Sequence, residues 1–323
     1  MRFCKICGGI LLAFIVACFG VMPATAADIP EYRLQVSPVT LDLTLEPGTS
    51  SSDTFEVQNT GSKGYNFELG VTPYSVKGND YNPDYETETA YNDITEWITF
   101  SQDKGRVEAG ENQEITVTVN VPEDVPSGGQ YAMVYVQMTR EFDDGSEESG
   151  EQTTTGISVN QRAGIVIIAE VEGGNTRREG QVLETKIPTI LFNPPITATS
   201  LVENTGNVHA TAYYTLQVFP LFGDEEVYTN EENPATLTIL PETQRFNSIS
   251  WDGAPQLGIF RVRETVTILD DTQTIEKIVF LCPIWFLFLI LLIIFFVIFW
   301  LVSRARSRKS TNKHTTKTTE PKE

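Results

Sequence analysis

Histidine is nearly absent from this chain, two residues in 323, and His209 is the sole histidine ahead of the C-terminal tail. That scarcity removes most metal-ligand and general-base chemistry. Cysteine is also missing where it could matter. Cys4, Cys7 and Cys18 fall in an N-terminal apolar segment and Cys282 in a C-terminal one, so 27–277 cannot hold a disulfide framework. Basic side chains are scarce in the same region, 14 against 41 acidic ones, a formal charge of −27. A surface that anionic repels phosphate backbones, which excludes nucleic acid as a partner. No N-x-S/T acceptor lies between 27 and 277, and no G-x-S-x-G, H-E-x-x-H or phosphate loop is present. These absences point to a bacterial surface and to a protein that is not an enzyme and carries no cofactor.

The two ends set the expected topology. Arg2 and Lys5 precede an apolar run from Ile6 to Met22, and Pro23 with Ala24-Thr25-Ala26 follows, the order of a secretory signal peptide over 1–26. A competing cleavage reading uses Ile15-Val16-Ala17-Cys18 as a lipobox whose cysteine becomes the lipidated N-terminus. Near the other end, 279–302 is free of charge and long enough to cross a bilayer as a helix. Trp285 and Trp300 stand near its ends, where indoles favour the interface. Arg304, Arg306, Arg308 and Lys309 begin a basic tail over 303–323, and the positive-inside rule keeps that tail in the cytoplasm. The expectation is a single-pass cell-membrane protein with its N-terminal part outside. No LPxTG-like motif precedes the helix, which favours retention in the membrane over covalent transfer to a wall.

Between the ends, apolar residues alternate in short runs broken by Gly, Pro, Asn and Asp. Phe55-Glu56-Val57-Gln58 and Ile115-Thr116-Val117-Thr118-Val119 are examples. Period-2 alternation with frequent turns predicts half-buried strands and β-sandwiches. A repeat sets their number: Val57-Gln58-Asn59-Thr60-Gly61 returns as Val202-Glu203-Asn204-Thr205-Gly206. Ala109–Gln113 and Ser127–Tyr131 are matched in order by Leu240–Gln244 and Gln256–Phe260, at a shorter offset. The first copy therefore carries an insertion, placed at 75–96. The fold class is an all-β ectodomain of two tandem Ig-like β-sandwiches, 28–172 and 177–277, followed by one transmembrane α-helix. Gly173–Thr176 is the expected hinge, and N-T-G is read as a tight turn that uses the positive-φ tolerance of Asn and Gly.

Candidate sites are few. Tyr74, Tyr81, Tyr85 and Tyr91 are spread through a polar loop ending at Trp97, and tyrosines of this kind supply amphipathic contact area for a ligand or partner. Alternatively the loop folds back and the rings cover its own sandwich. Trp97–Phe100 reads as a core strand. His209 is expected at a turn or on the surface. Ser101-Gln102-Asp103-Lys104 fits S-x-x-K but reads as a hairpin turn. The acidic run 143–151 has the oxygen ligands calcium prefers, without EF-hand spacing, and is read as a solvated loop.

Ser37-Pro38, Glu46-Pro47-Gly48 and Val57–Gly61 in the first unit, with Glu203–His209, Leu240–Arg245 and Trp251 in the second, resemble the WxL-interacting, tandem Ig-like surface proteins of Gram-positive bacteria. That resemblance implies adhesion or scaffolding, with peptidoglycan or another surface protein as partner. Where the family's first domain ends in a glycine-rich segment, this chain has Gly128-Gly129. The alternative is a membrane-anchored sensor that relays outside binding to a cytoplasmic partner.

Overall fold

The computed structural model describes residues 30–139 and 161–311. The signal segment 1–26 with its alternative cleavage at Cys18, the acidic run 143–151 and the tail beyond 311 lie outside the described residues, as do the side chains of Arg306, Arg308 and Lys309.

Eleven strands form the first sandwich. They are β1 (Leu34–Ser37), β2 (Thr40–Leu45), β3 (Ser50–Asn59), β4 (Tyr65–Pro73), β5 (Ser75–Lys77), β6 (Asn82–Asp84), β7 (Ile98–Phe100), β8 (Lys104–Val107), β9 (Asn112–Asn120), β10 (Gly128–Thr139) and β11 (Arg162–Val171). One sheet runs β1-β3-β9-β7 and the facing sheet β2-β11-β10-β4-β8, with β5 and β6 as a separate hairpin. The second sandwich contains β12 (Gly180–Lys186), β13 (Ile190–Leu191), β14 (Ile196–Asn204), β15 (Ala210–Pro220), β16 (Tyr228–Thr229), β17 (Ala235–Ile239), β18 (Thr243–Trp251), β19 (Gly258–Ile268) and β20 (Asp271–Leu281). Its sheets are β12-β14-β18 and β13-β20-β19-β15, with β16 and β17 on β15. Both units are Ig-like and share one topology, down to the single parallel pairing, β2 on β11 and β13 on β20. Each strand's inward phase feeds a separate core, one around Phe55, Phe67, Ile115 and Ile165 and the other around Tyr214, Leu216, Val262 and Val266.

The repeated N-T-G motif explains itself differently from the expectation. Neither Gly61 nor Gly206 has a positive φ. Instead the asparagines act through their amides. Asn59 Nδ2 donates to Lys63 O (2.9 Å) and Val107 O (3.1 Å), and its Oδ1 accepts from Gly61 N (3.0 Å). Asn204 repeats all three bonds, to Val208 O (2.7 Å) and Ile239 O (2.9 Å) and from Gly206 N (2.9 Å). The glycines are required because backbone crosses over them. A Cβ on Gly61 would stand 2.7 Å from Glu31 O, and one on Gly206 2.4 Å from Arg177 O. The motif locks the strand that enters each sandwich against its β3 or β14 turn.

Two further expectations need correction. Ser101–Lys104 joins β7 in one sheet to β8 in the other, so it crosses the sandwich rather than closing a hairpin. The helix, α1, spans Ile284–Thr311, not 279 onward. Val279 and Leu281 are buried in the core of the second sandwich as alternate residues of β20. Cys282 donates its N–H to Leu191 O (2.9 Å) and precedes the helix. Pro283, which suits the start of a helix and cannot continue a ladder, marks the change from period 2 to period 3.6. Residues Ile284–Arg304 are long and apolar enough to cross a membrane, with mean hydropathy 3.2 and none of that window buried. Arg304 lies over the Trp300 ring, its Cζ 5.1 Å from the centroid.

The cores differ at one place. Across the β3–β9 pair of the first sandwich, Phe55 faces Ile115, and the equivalent pair in the second is Ser200 facing Asn247. Likewise Leu69 and Val134 correspond to Tyr214 and Glu264. Four apolar side chains are thus replaced by four polar ones whose Ser200 Oγ, Asn247 Nδ2, Tyr214 hydroxyl and both Glu264 carboxylate oxygens are buried without a hydrogen-bond partner.

Candidate functional site

The 75–96 insertion has no counterpart in the second sandwich, and it leans across the junction between the two. Gln130, buried in β10, anchors it: Oε1 accepts from Ile94 N (3.1 Å) and Nε2 donates to Ala90 O (3.1 Å). Asn92 closes the preceding loop, accepting from Thr89 N (2.9 Å) and donating to Thr87 O (3.0 Å). At the tip of the β5–β6 hairpin Tyr81 adopts φ 62° and reaches the second sandwich. Its hydroxyl accepts from Leu240 N and lies 3.3 Å from Thr243 Oγ1, while Arg245 stacks over the ring at 4.1 Å. Burial pushes the Tyr81 hydroxyl above its ordinary pKa.

A second set of contacts fixes the junction from the linker side. Asn207 O accepts from Gly129 N (2.7 Å), and Asn207 Nδ2 donates to Ser127 O (3.2 Å) and Asn175 O (3.0 Å). Its Oδ1 accepts from Arg177 N (2.6 Å). Gly128 permits this approach: its φ is 148°, and a Cβ there would stand 3.0 Å from Asn207 O. The expected hinge is therefore stapled rather than free, and Gly128-Gly129 serves domain contact. His209 lies at the turn, as expected, but is half-buried rather than free on the surface. Its Nδ1 lies 3.4 Å from the Tyr131 hydroxyl, with the rings edge-on at 6.0 Å. Burial drives the His209 pKa down and that of Tyr131 far up.

Between these contacts is an open cleft of about 390 Å³, lined by Tyr74, Lys77, Asp84, Tyr91 and Tyr131 on one side and Leu240–Thr243 on the other. Lys77 and Asp84 pair at 2.8 Å, which holds the Asp84 carboxyl well below the usual carboxylate range. Burial, with the Glu242 carboxylate beside it, pushes the Tyr91 hydroxyl up. The four tyrosines expected at a binding loop thus divide. Tyr74 and Tyr91 line the cleft, Tyr81 joins the sandwiches, and Tyr85 is exposed with its ring 6.1 Å from that of Tyr74. Trp97 is buried in the first core.

Thr243 of the cleft wall begins β18, a sheet edge that sequence reasoning did not single out. Phe246 N donates to Asn79 O (2.8 Å), so Phe246 faces away from β14, and Ser248 and Ser250 share that direction because β14–β18 register is unbroken. In the first sandwich the corresponding edge of β9 is covered by β7, with Thr99 opposite Thr118. Among the described residues no strand covers β18 on that side. Its signal in the sequence was the missing counterpart of Trp97–Phe100.

No known family profile and no curated protein matches the chain. Among solved structures, it is similar to the class 5 fimbriae chaperone CfaA at 13% identity, covering 76% of this chain and 99% of that one, with a TM-score of 0.39. The CsuC–CsuE chaperone and tip-subunit complex of the Csu pili of Acinetobacter baumannii gives 13% identity over 76% and 98% of the two chains, with a TM-score of 0.37. A PapD-like domain of human CEP192 gives 17% identity, 48% and 94% coverage and a TM-score of 0.30.

Proposed function

We propose that this chain is a non-enzymatic, membrane-anchored surface protein whose two Ig-like sandwiches hold a cell-wall polymer or another surface protein. The observation that carries this reading is the cleft between them, lined by Tyr74 and Tyr91 and, on its other wall, by Leu240–Thr243, where the open-edged β18 begins. Aromatic faces with hydroxyls at their rims suit sugar rings and peptide alike, and an open edge offers backbone donors and acceptors to an extended chain. The junction contacts of Tyr81 and Asn207 hold both walls of the cleft in place, so binding does not have to order them. The excess of acidic residues directs the site to neutral or basic partners. The layout of sandwiches, helix and basic residues agrees with the WxL-interacting resemblance in the sequence.

The test is co-sedimentation of the detergent-solubilised full chain with purified cell walls over a salt series, beside cross-linking on intact cells. Tyr74→Ala with Tyr91→Ala leaves the Tyr81 contacts in place and is expected to weaken capture by roughly tenfold or more. Equal capture by the double variant in both assays would sink the cleft reading.

A further inference from the structure

The helix leaves the second sandwich after two residues, Cys282 and Pro283, so one end of the β13-β20-β19 sheet lies directly at the start of α1. That end is apolar on its outer side. Phe280 stands opposite Ile259 on β19 and opposite Ile190 on β13, and all three are exposed, Ile190 at 59%. Three more exposed apolar residues surround them in the adjoining loops: Phe192 after β13, Leu257 before β19 and Phe222 after β15. Phe222 is 88% exposed although its loop is pinned, with Arg261 Nη2 donating to Gly223 O (2.7 Å) and pairing with Asp224 (3.0 Å). Leu221 N also donates to Ile259 O (3.2 Å), which ties this loop to the same sheet end.

An exposed apolar patch of this size on a held surface marks a contact with something apolar. Here the chain itself indicates what that is. We propose that the α1 end of the second sandwich rests on the bilayer, with these six side chains inserted at the level of the headgroups and acyl boundary. The inference rests on α1 being a membrane span. Its two-residue tether leaves no length for the sandwich to stand away from the surface, and apolar side chains at that depth replace water contact with hydrocarbon. The ectodomain is then oriented by a second contact besides the helix. The opposite end of the same sheet, at the Leu269 turn between β19 and β20, points away from the membrane.

The test uses the full chain in phosphatidylcholine–phosphatidylglycerol nanodiscs, with native cysteines replaced by serine and single nitroxide labels introduced by Phe222→Cys, Leu257→Cys, Leu269→Cys and Leu292→Cys. Collisions with oxygen, which concentrates in lipid, are compared with collisions with a water-soluble nickel chelate. Labels at 222 and 257 are expected to favour oxygen several-fold over the label at 269, in the direction of the label at 292 within α1. If 292 is lipid-exposed but 222 and 257 match 269, the resting contact is wrong while the span stands. If 292 is itself water-exposed, the span fails and the proposal with it. Labels at 222 and 257 shielded from both reagents would assign the patch to a protein partner and overturn the lipid contact.

Discussion

Glu264 sits at 0% exposure in the core of the second sandwich, in the place filled by Val134 in the first. Burial pushes its pKa up to about 7, from an ordinary value of 4.5, and Ser200 offsets this only in part, since its hydroxyl and the carboxyl do not meet with hydrogen-bond geometry. The folded state therefore binds this proton more tightly than the unfolded chain does. Its contribution is fully present below pH 4.5, declines as pH rises from 4.5 to about 7, and is constant above. A shift of that span corresponds to about 3 kcal/mol lost across the window. Urea unfolding of 30–281 between pH 4.5 and 8, followed by amide exchange in β15 and β19, would measure it, with β4 and β10 of the first sandwich as the internal reference. Glu264→Val, which copies Val134, is expected to abolish the pH slope in β15 and β19 and to raise stability at pH 8. If wild type and variant show parallel pH dependence, the carboxyl is hydrated in solution and the argument from burial is wrong.

His209 runs the other way. Its pKa is lowered by burial, so stability held above the ordinary histidine pKa is lost as acid charges the ring, and the junction should loosen on acidification in wild type but not in His209→Gln, as read by small-angle scattering. Asn59→Ala and Asn204→Ala each strand two carbonyls and an N–H, and each should destabilise its own sandwich by about 2–4 kcal/mol in denaturant unfolding. Unequal costs would break the equivalence of the two motifs. Tyr81→Phe removes the hydroxyl bonds to Leu240 and Thr243, and should speed exchange of the Leu240 amide while leaving the Val134 amide unchanged. Ser250→Pro removes an N–H that points away from β14, and should leave the unfolding midpoint within about 0.5 kcal/mol of wild type, because proline is tolerated on an open edge.

Much of the site was hidden for a physical reason. The tyrosines of 74–91 could be seen as a cluster, but which of them meets a ligand depends on how the insertion falls across the second sandwich. Tyr81 meets Leu240 and Thr243 from more than 150 residues away, and no local pattern encodes such a contact. The Glu264 anomaly was legible in principle. In Phe260-Arg261-Val262-Arg263-Glu264-Thr265-Val266 the acid occupies the inward phase set by Phe260, Val262 and Val266. His209 carried no such signal, because its burial comes from Tyr131 on the other sandwich.

The sequence by itself determined the class of each segment. Period-2 alternation makes strands with one buried face, an uncharged run makes a helix long and apolar enough to cross a membrane, and the recurring Asn-Thr-Gly fixes two units of one topology, because each of these is a local consequence of side-chain pattern. Only the tertiary structure decided where the pattern changes hands. Val279 and Leu281 are apolar enough for a membrane, yet they belong to β20 because β19 supplies their ladder and the second core their burial. The same holds for the glycine of each motif, whose necessity lies in a backbone that crosses it from elsewhere in the chain.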